Sequence, residues 1–286
     1  MSDKLATRGQ LVIPNFNLEL TLYGGQAFNW IRIGNKHFGV FQDKVIKLMY
    51  KDPILYWHSS KPIEENIILE YFDYFTDYQC IYGQILQDES LSKLQHAYSG
   101  IRLLKQNLWQ TIVSFVVSQN NNIPKIKTSL DKLAKLNKRV IHFDNRSFYA
   151  FPTIDELLKM SEQELQACSL GYRSKYLYLV TQSVAKTELL YQTNISYKTL
   201  RKSLLDMYGI GEKVADCILV FGYGVRNLAP IDIWVRRGAI ETFNLSPRST
   251  YKQIQHYLVS KFGEYTAYAA QILFESFRLK AKQKTT

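Results

Sequence analysis

Cysteine is scarce in this 286-residue chain: Cys80, Cys168 and Cys217 lie far apart, and no two form a CxxC spacing. That argues against a zinc ribbon or an iron–sulfur site, and an odd, unpaired count suits a reducing compartment. The five histidines (His37, His58, His96, His142, His256) show no metal-ligand spacing and read as structural or surface residues. No apolar run approaches the ~20 residues that span a bilayer. The N-terminal MSDKLATRGQ lacks the apolar core of a signal peptide. Repeats, low-complexity tracts and long linkers are missing too. The expectation is a soluble, intracellular protein with no membrane partner.

Acidic residues are also in short supply, 25 against 36 Lys and Arg, for a formal charge of +11. On a folded chain this favours a polyanionic partner, nucleic acid ahead of an anionic membrane. The apolar fraction of 46% is ordinary for a globular protein.

The pattern along the chain is α+β. Residues 11–60 read as strands, with hairpin breaks at Gly34-Asn35-Lys36 and Gln42-Asp43-Lys44, and a break near Lys61-Pro62. Thereafter helical period dominates: Ile63–Asp77, Leu91–Leu104, Leu108–Val117, Lys125–Leu136 after Pro124, Thr153–Met160, Ser161–Cys168, Lys175–Leu190, Ser196–Met207, Tyr251–Phe262 and Glu264–Leu279. Ser161 and Glu164 form a capping-box pattern. The expected division is a β-rich N-terminal domain over residues 1–86 and a two-lobed helical domain over 87–286, with a helix-hairpin-helix at about 198–223.

Within that hairpin, GIGEKVADC (209–217) poses a chemical question. Gly209-Ile210-Gly211 forms a turn whose backbone N–H groups, with those of the next helix start, can hold a phosphate. Its loop carbonyls can hold a monovalent cation. A plain helical connection reads equally well from GxG alone. Lys213 then stands at the start of a helix that continues through the apolar ILVFGYG. The helix dipole and desolvation both favour its neutral, nucleophilic form, while Glu212 opposes them. Two readings stay open from this segment: a nucleophile, or a lysine snorkelling to phosphate.

Nineteen positions beyond Lys213, PIDIWVRR places Asp232 after Pro230 between isoleucines. Asp232 reads as the N-cap of a helix starting at Ile233. A capping carboxylate is rigid and ionised, and it can stabilise positive charge developing on a sugar.

Together GIGEKVADC and PIDIW resemble the helix-hairpin-helix, Gly/Pro…Asp superfamily of base-excision DNA glycosylases. GGQAFNW (24–30), SQNNNI (118–123) and LGYRSKY (170–176) narrow the resemblance to the 8-oxoguanine DNA glycosylase/AP lyase family. The resemblance implies that Lys213 attacks the anomeric carbon and displaces the base, and that the resulting Schiff base permits β-elimination. Asp232 would stabilise the oxocarbenium-like sugar. It implies no cofactor and no catalytic metal. A monovalent cation would sit at the carbonyls of Leu205, Met207 and Ile210, and Gly209 and Gly211 would contact phosphate. Lesion recognition would fall to the Gly25 carbonyl, which accepts the N7–H of 8-oxoguanine, with Cys217 and Phe274 on the two faces of the base. Asn120 would fill the vacated stack, Tyr172 would wedge beside it, and Arg173 would bond the orphaned cytosine.

Two positions depart from the family pattern. Lys125 stands where animal members read that cytosine with an arginine, and lysine lacks the bidentate fork. With Phe274 aligned, Ala270 falls where the family has a base-contacting glutamine, and Gln271 is one position late. Trp234 also replaces a histidine of animal members. The implied partner is double-stranded DNA carrying 8-oxoguanine, preferably opposite cytosine, met by a monomer. The setting would be the nucleoid of a bacterial cytoplasm or a eukaryotic nucleus. The alternatives are a monofunctional alkylpurine glycosylase, for which Lys213 is superfluous, and a non-catalytic DNA-binding hairpin, which leaves Asp232 unexplained. An endonuclease III-like enzyme would need a cysteine cluster that this chain lacks.

Overall fold

A computed structural model describes residues 5–95, 100–192 and 194–283; His96 lies outside them. Strands β1 (Leu5–Val12), β2 (Trp30–Ile33), β3 (Lys36–Phe41), β4 (Lys44–Lys51) and β5 (Ile54–Glu64) form an antiparallel sheet in the order β1-β5-β4-β3-β2. The turns at Gly34-Asn35 and Gln42-Asp43 fall at the expected breaks, with Gly34 and Gln42 at positive φ. The break at Lys61-Pro62 does not end a strand, because β5 runs through the proline to Glu64. A register shift against β1 between Ala6 and Arg8 absorbs it, and a bulge tolerates a residue without an N–H.

The sheet is covered on both faces. Ile46, Leu48, Leu55 and Trp57 pack with Leu22, Ile68 and Leu104 in one core. Phe38 and Val45 meet Phe148 on the other side. Phe148 comes from a hairpin that the sequence reading passed over, β6 (Val140–Phe143) and β7 (Arg146–Tyr149). Its Asp144-Asn145 turn has both residues at positive φ, the geometry that matches strand twist.

One helix interrupts the expected strand region: α1 (Leu18–Tyr23), capped by Asn17, whose side chain accepts from the Leu20 N–H at 3.0 Å. Two expected helices are shorter than their periodicity. The Ile63–Asp77 pattern yields only α2 (Glu65–Tyr71), because Asp73 turns left-handed and its carboxylate accepts from the Thr76 and Tyr78 hydroxyls. The Leu91–Leu104 pattern ends as α4 (Glu89–Gln95). Beyond Gly100 the backbone bonds elsewhere, Arg102 N to Thr21 Oγ1 and Leu104 N to Gln26 Oε1.

The larger core gathers α3 (Tyr78–Ile85), α5 (Leu108–Val117), α6 (Ile123–Leu136), α7 (Ile154–Leu158), α8 (Glu162–Ala167), α9 (Arg173–Ala185), α10 (Tyr197–Leu205), α11 (Glu212–Ile218), α12 (Ile233–Phe243), α13 (Tyr251–Phe262) and α14 (Thr266–Gln283). The start of α8 carries the anticipated Ser161/Glu164 capping box, and Thr153 and Thr250 build two more. Since α3 packs in the helical core and Leu104 in the sheet core, the two parts interlock at α3 and Leu104. Past Ile218 the apolar ILVFGYG segment leaves α geometry for a π-helical turn, Leu219–Tyr223, closed by Gly224 at positive φ. Gly222 there packs so close to Leu108 that a Cβ would lie 3.1 Å from it. Among the described residues no helix is long and apolar enough to cross a membrane.

Candidate active site

Two helix N-termini face one cavity. Lys213 is the second residue of α11, behind Gly211 as N-cap, and its ammonium donates to Ser118 Oγ at 3.3 Å above the Phe115 ring (5.1 Å to the centroid). Asp232 is the N-cap of α12, and one carboxylate oxygen accepts from the N–H of both Trp234 and Val235 at 2.9 Å. Burial raises the Asp232 pKa above the ordinary carboxylate value, although the two N–H groups and the nearby Lys213 pull the other way. Both residues line the same cavity with Gly24, Gly25, Cys217, Pro230, Ala270, Gln271 and Phe274.

The cavity volume is about 40 Å³. Gly25 has φ +73, and a Cβ there would lie 2.7 Å from Phe274 Cζ, so only glycine allows this approach. The Gln271 side-chain amide donates to the Gly24 carbonyl at 2.9 Å. The one-residue offset of the glutamine therefore still leaves it on the cavity wall, beside Ala270. Cys217, one turn past Lys213, is buried and its thiol pKa is pushed up to about 12 by desolvation, Lys213 opposing.

The hairpin turn divides its two glycines by role. Gly209 takes φ +93 over Tyr176, where a Cβ would lie 2.6 Å from the ring. Gly211 has extended geometry that any residue adopts, and nothing lies within 4 Å of its missing Cβ. Its value is an open approach to the α11 N-terminus. Of the carbonyls named for a cation, that of Met207 accepts from the Ile210 N–H at 3.1 Å. Among the described residues no cluster of His, Cys, Asp or Glu could hold a metal ion.

The residues expected at the DNA stack lie together. Asn120 sits at positive φ between α5 and α6, and its amide is 3.3 Å from the Tyr172 hydroxyl. Asn122 caps α6 by accepting from the N–H of Lys125, whose side chain is exposed. Arg173 is largely turned inward, only 6% exposed. Its guanidinium donates to the carbonyls of Gln119 (2.5 Å), Asn120 (2.7 Å) and Leu170 (3.2 Å), holding the Asn120 loop against α9. That anchoring is a role the sequence reading did not contain.

Other contributors also escaped it. Gln119 donates to the Gly209 carbonyl at 2.9 Å and so joins the asparagine loop to the hairpin. Ser118 and Gln119 were visible within SQNNNI, while nothing local marked Phe115. Lys127, on α6, donates to the Trp30 carbonyl at 2.7 Å and lies 4.5 Å above the Tyr23 ring. Burial lowers its pKa to about 8. It fixes α6 to the segment that carries Gly24 and Gly25.

A lysine opening the second helix of a hairpin, facing a capping aspartate across a cleft, defines the helix-hairpin-helix class of base-excision proteins. The family described as "HhH-GPD superfamily base excision DNA repair protein" matches residues 113–264. That described as "8-oxoguanine DNA glycosylase, N-terminal domain" matches residues 10–112. The chain belongs to the 8-oxoguanine DNA glycosylase family of that superfamily.

The N-glycosylase/DNA lyase OGG1 of Arabidopsis thaliana is 25% identical over 287 residues, covering 93% of this chain and 78% of that protein. The structure of MBOgg1 in complex with a low-affinity DNA ligand is 30% identical, with a TM-score of 0.90 over 98% of this chain and 100% of that one. A Clostridium acetobutylicum 8-oxoguanine glycosylase/lyase, in complex with duplex DNA containing cytosine opposite 8-oxoguanine, is 26% identical. Its TM-score is 0.87 over the whole of both chains.

Proposed function

We infer that this chain is a bifunctional DNA glycosylase that excises 8-oxoguanine from duplex DNA and then nicks the strand. The observation that carries the reading is the convergence of Lys213 and Asp232 on one cavity walled by Gly25, Cys217, Gln271 and Phe274. As the neutral amine, Lys213 forms a bond from Nζ to C1′ as the C1′–N9 bond breaks. The electron pair leaves with the base, which takes up a proton. Loss of the amine protons and opening of the sugar give the imine. Removal of a C2′ proton then expels the 3′ phosphate. Asp232 holds a negative charge beside the sugar while it is electron-poor. Ser118, bonded to Nζ, aims the amine.

The base reaches this cavity only after leaving the duplex, at a cost of a few kcal/mol. Phe274 has to swing off Gly25 to admit it, and Gln271 has to release the Gly24 carbonyl. The everted purine then lies between Cys217 and Phe274 with its N7–H on the Gly25 carbonyl. Guanine, with a lone pair at N7, leaves that acceptor unmatched at a cost of ~1–3 kcal/mol. Asn120 and Tyr172 occupy the emptied stack, and the N–H groups that Arg173 does not spend on backbone face the orphaned cytosine with Lys125. The N–H groups of Gly209 and Gly211 hold phosphate, aided by a monovalent cation at the Leu205, Met207 and Ile210 carbonyls. The enzyme acts as a monomer on DNA.

Borohydride trapping tests this. A covalent adduct with an 8-oxoguanine duplex, absent for Lys213→Gln, is expected; base release that survives Lys213→Gln at the normal rate excludes the lysine mechanism.

A further inference from the structure

Asp216 is fully buried on α11, three residues beyond Lys213. Its carboxylate is saturated: Arg201 Nε reaches Oδ1 at 2.6 Å, while Arg201 Nη2 (3.2 Å), the Tyr251 hydroxyl (2.5 Å) and the Gln255 amide (2.7 Å) all donate to Oδ2. A buried ion pair of this kind is weak evidence for stability, since apolar residues of similar volume often serve as well. Its partners suggest another purpose. The Tyr251 hydroxyl also accepts from the Ile231 N–H at 3.3 Å, and the Gln255 amide also donates to the Ala229 carbonyl at 3.1 Å. Ala229 and Ile231 flank Pro230 in the loop that ends on Asp232. The side-chain bonds made by Lys213 go to Ser118 and to Cys217 of its own helix, and the bonds made by Asp232 go to its own helix, so neither residue's bonds set the gap between them.

We propose that Asp216, Tyr251 and Gln255 are positioning residues: α13 acts as a splint that fixes the loop carrying Asp232 to the helix carrying Lys213. Arg201 extends the frame to α10, so the hairpin angle and the spacing of amine and carboxylate are set by one network centred on buried Asp216. The proposal rests on the glycosylase reading, because it concerns the geometry of that reaction. Positioning matters at this level, since displacing a reacting group by about 1 Å can cost roughly 10²-fold in rate.

The test is a double-mutant cycle on the full chain, with single-turnover base release from an 8-oxoguanine duplex as the readout. Tyr251→Phe removes one oxygen and keeps the ring. It is expected to slow base release about ten-fold or more while DNA affinity stays within about two-fold, the pattern of an interaction made in the transition state. In an Asp232→Asn background the same change is expected to cost less than about two-fold, because residues that act through one another are not additive. Gln255→Met serves as a second variant should Tyr251→Phe fold poorly. An unchanged rate, or an equal loss in both backgrounds, overturns the splint. A parent chain that neither releases base nor traps overturns the underlying reading instead.

Discussion

At the residue scale, Asp232 is asked to do two things that pull its pKa in opposite directions. Capping α12 favours the charged form, yet burial prevails and raises the pKa. A carboxyl raised on folding binds its proton more tightly in the native state. Its contribution to stability is therefore present at low pH and is lost as pH rises from the ordinary value of 3.8 through the raised one. Asp232→Asn keeps an acceptor for both N–H groups and removes that penalty. We expect it to retain or slightly gain thermal stability at neutral pH, bind lesion DNA, and lose base release by about 10²-fold or more, in line with losses at electrostatic groups. Loss of folding in this variant would show that the cap outweighs the chemistry. Cys217 gives a second check. With its thiol pKa at about 12 and its side chain buried, it should resist alkylation in the native protein at pH 7. Cys80 is exposed and Cys168 buried, so native mass spectrometry after iodoacetamide should show one label, on Cys80.

At the scale of elements, α6 helps to join the two halves near the site. It starts from the asparagine loop, presents Lys125 outward, and sends Lys127 under β2. A lysine whose pKa falls on folding penalises the native state while it is charged. Stability should therefore rise between about 8 and the free value of 10.5 as the penalty lifts. Denaturation midpoints across that range should climb for the parent chain and flatten for Lys127→Met. Lys125 belongs to the proposed DNA contact. Changing it to arginine supplies a planar fork, and a good bidentate contact is worth about 1–3 kcal/mol of base discrimination. Preference for cytosine opposite the lesion should sharpen about ten-fold, measured as relative excision against the four opposing bases. An unchanged profile removes Lys125 from the opposite-base contact.

For the whole molecule, we propose that the excess of Lys and Arg and the hairpin N–H groups act on the DNA backbone, where counterion release dominates affinity. With about six phosphates contacted, binding should weaken roughly 10³-fold between about 50 and 200 mM salt. A flat response would contradict a phosphate-anchored complex. The same scale explains which parts of the fold could be read from residues. Hairpin turns, caps and the α13 bounds are local, so Gly34-Asn35, Ser161–Glu164 and Tyr251–Phe262 could be read directly. The ends of the Ile63 and Leu91 helices could not, because Asp73, Thr21 and Gln26 draw the backbone into bonds that periodicity does not encode.

What the sequence by itself determined is the chemistry on offer: a lysine at a helix start, an aspartate at a cap, glycines where a side chain is excluded, and a basic surface. Those depend on residue type and on neighbours within a turn. The tertiary structure alone decided what meets what. It brought Gln271 to the Gly24 carbonyl across 247 positions, turned Arg173 inward onto its own loop, and tied Asp216 to α13. Contacts so remote leave no trace in local spacing, because they arise only when separate helices pack and their buried polar groups must find partners.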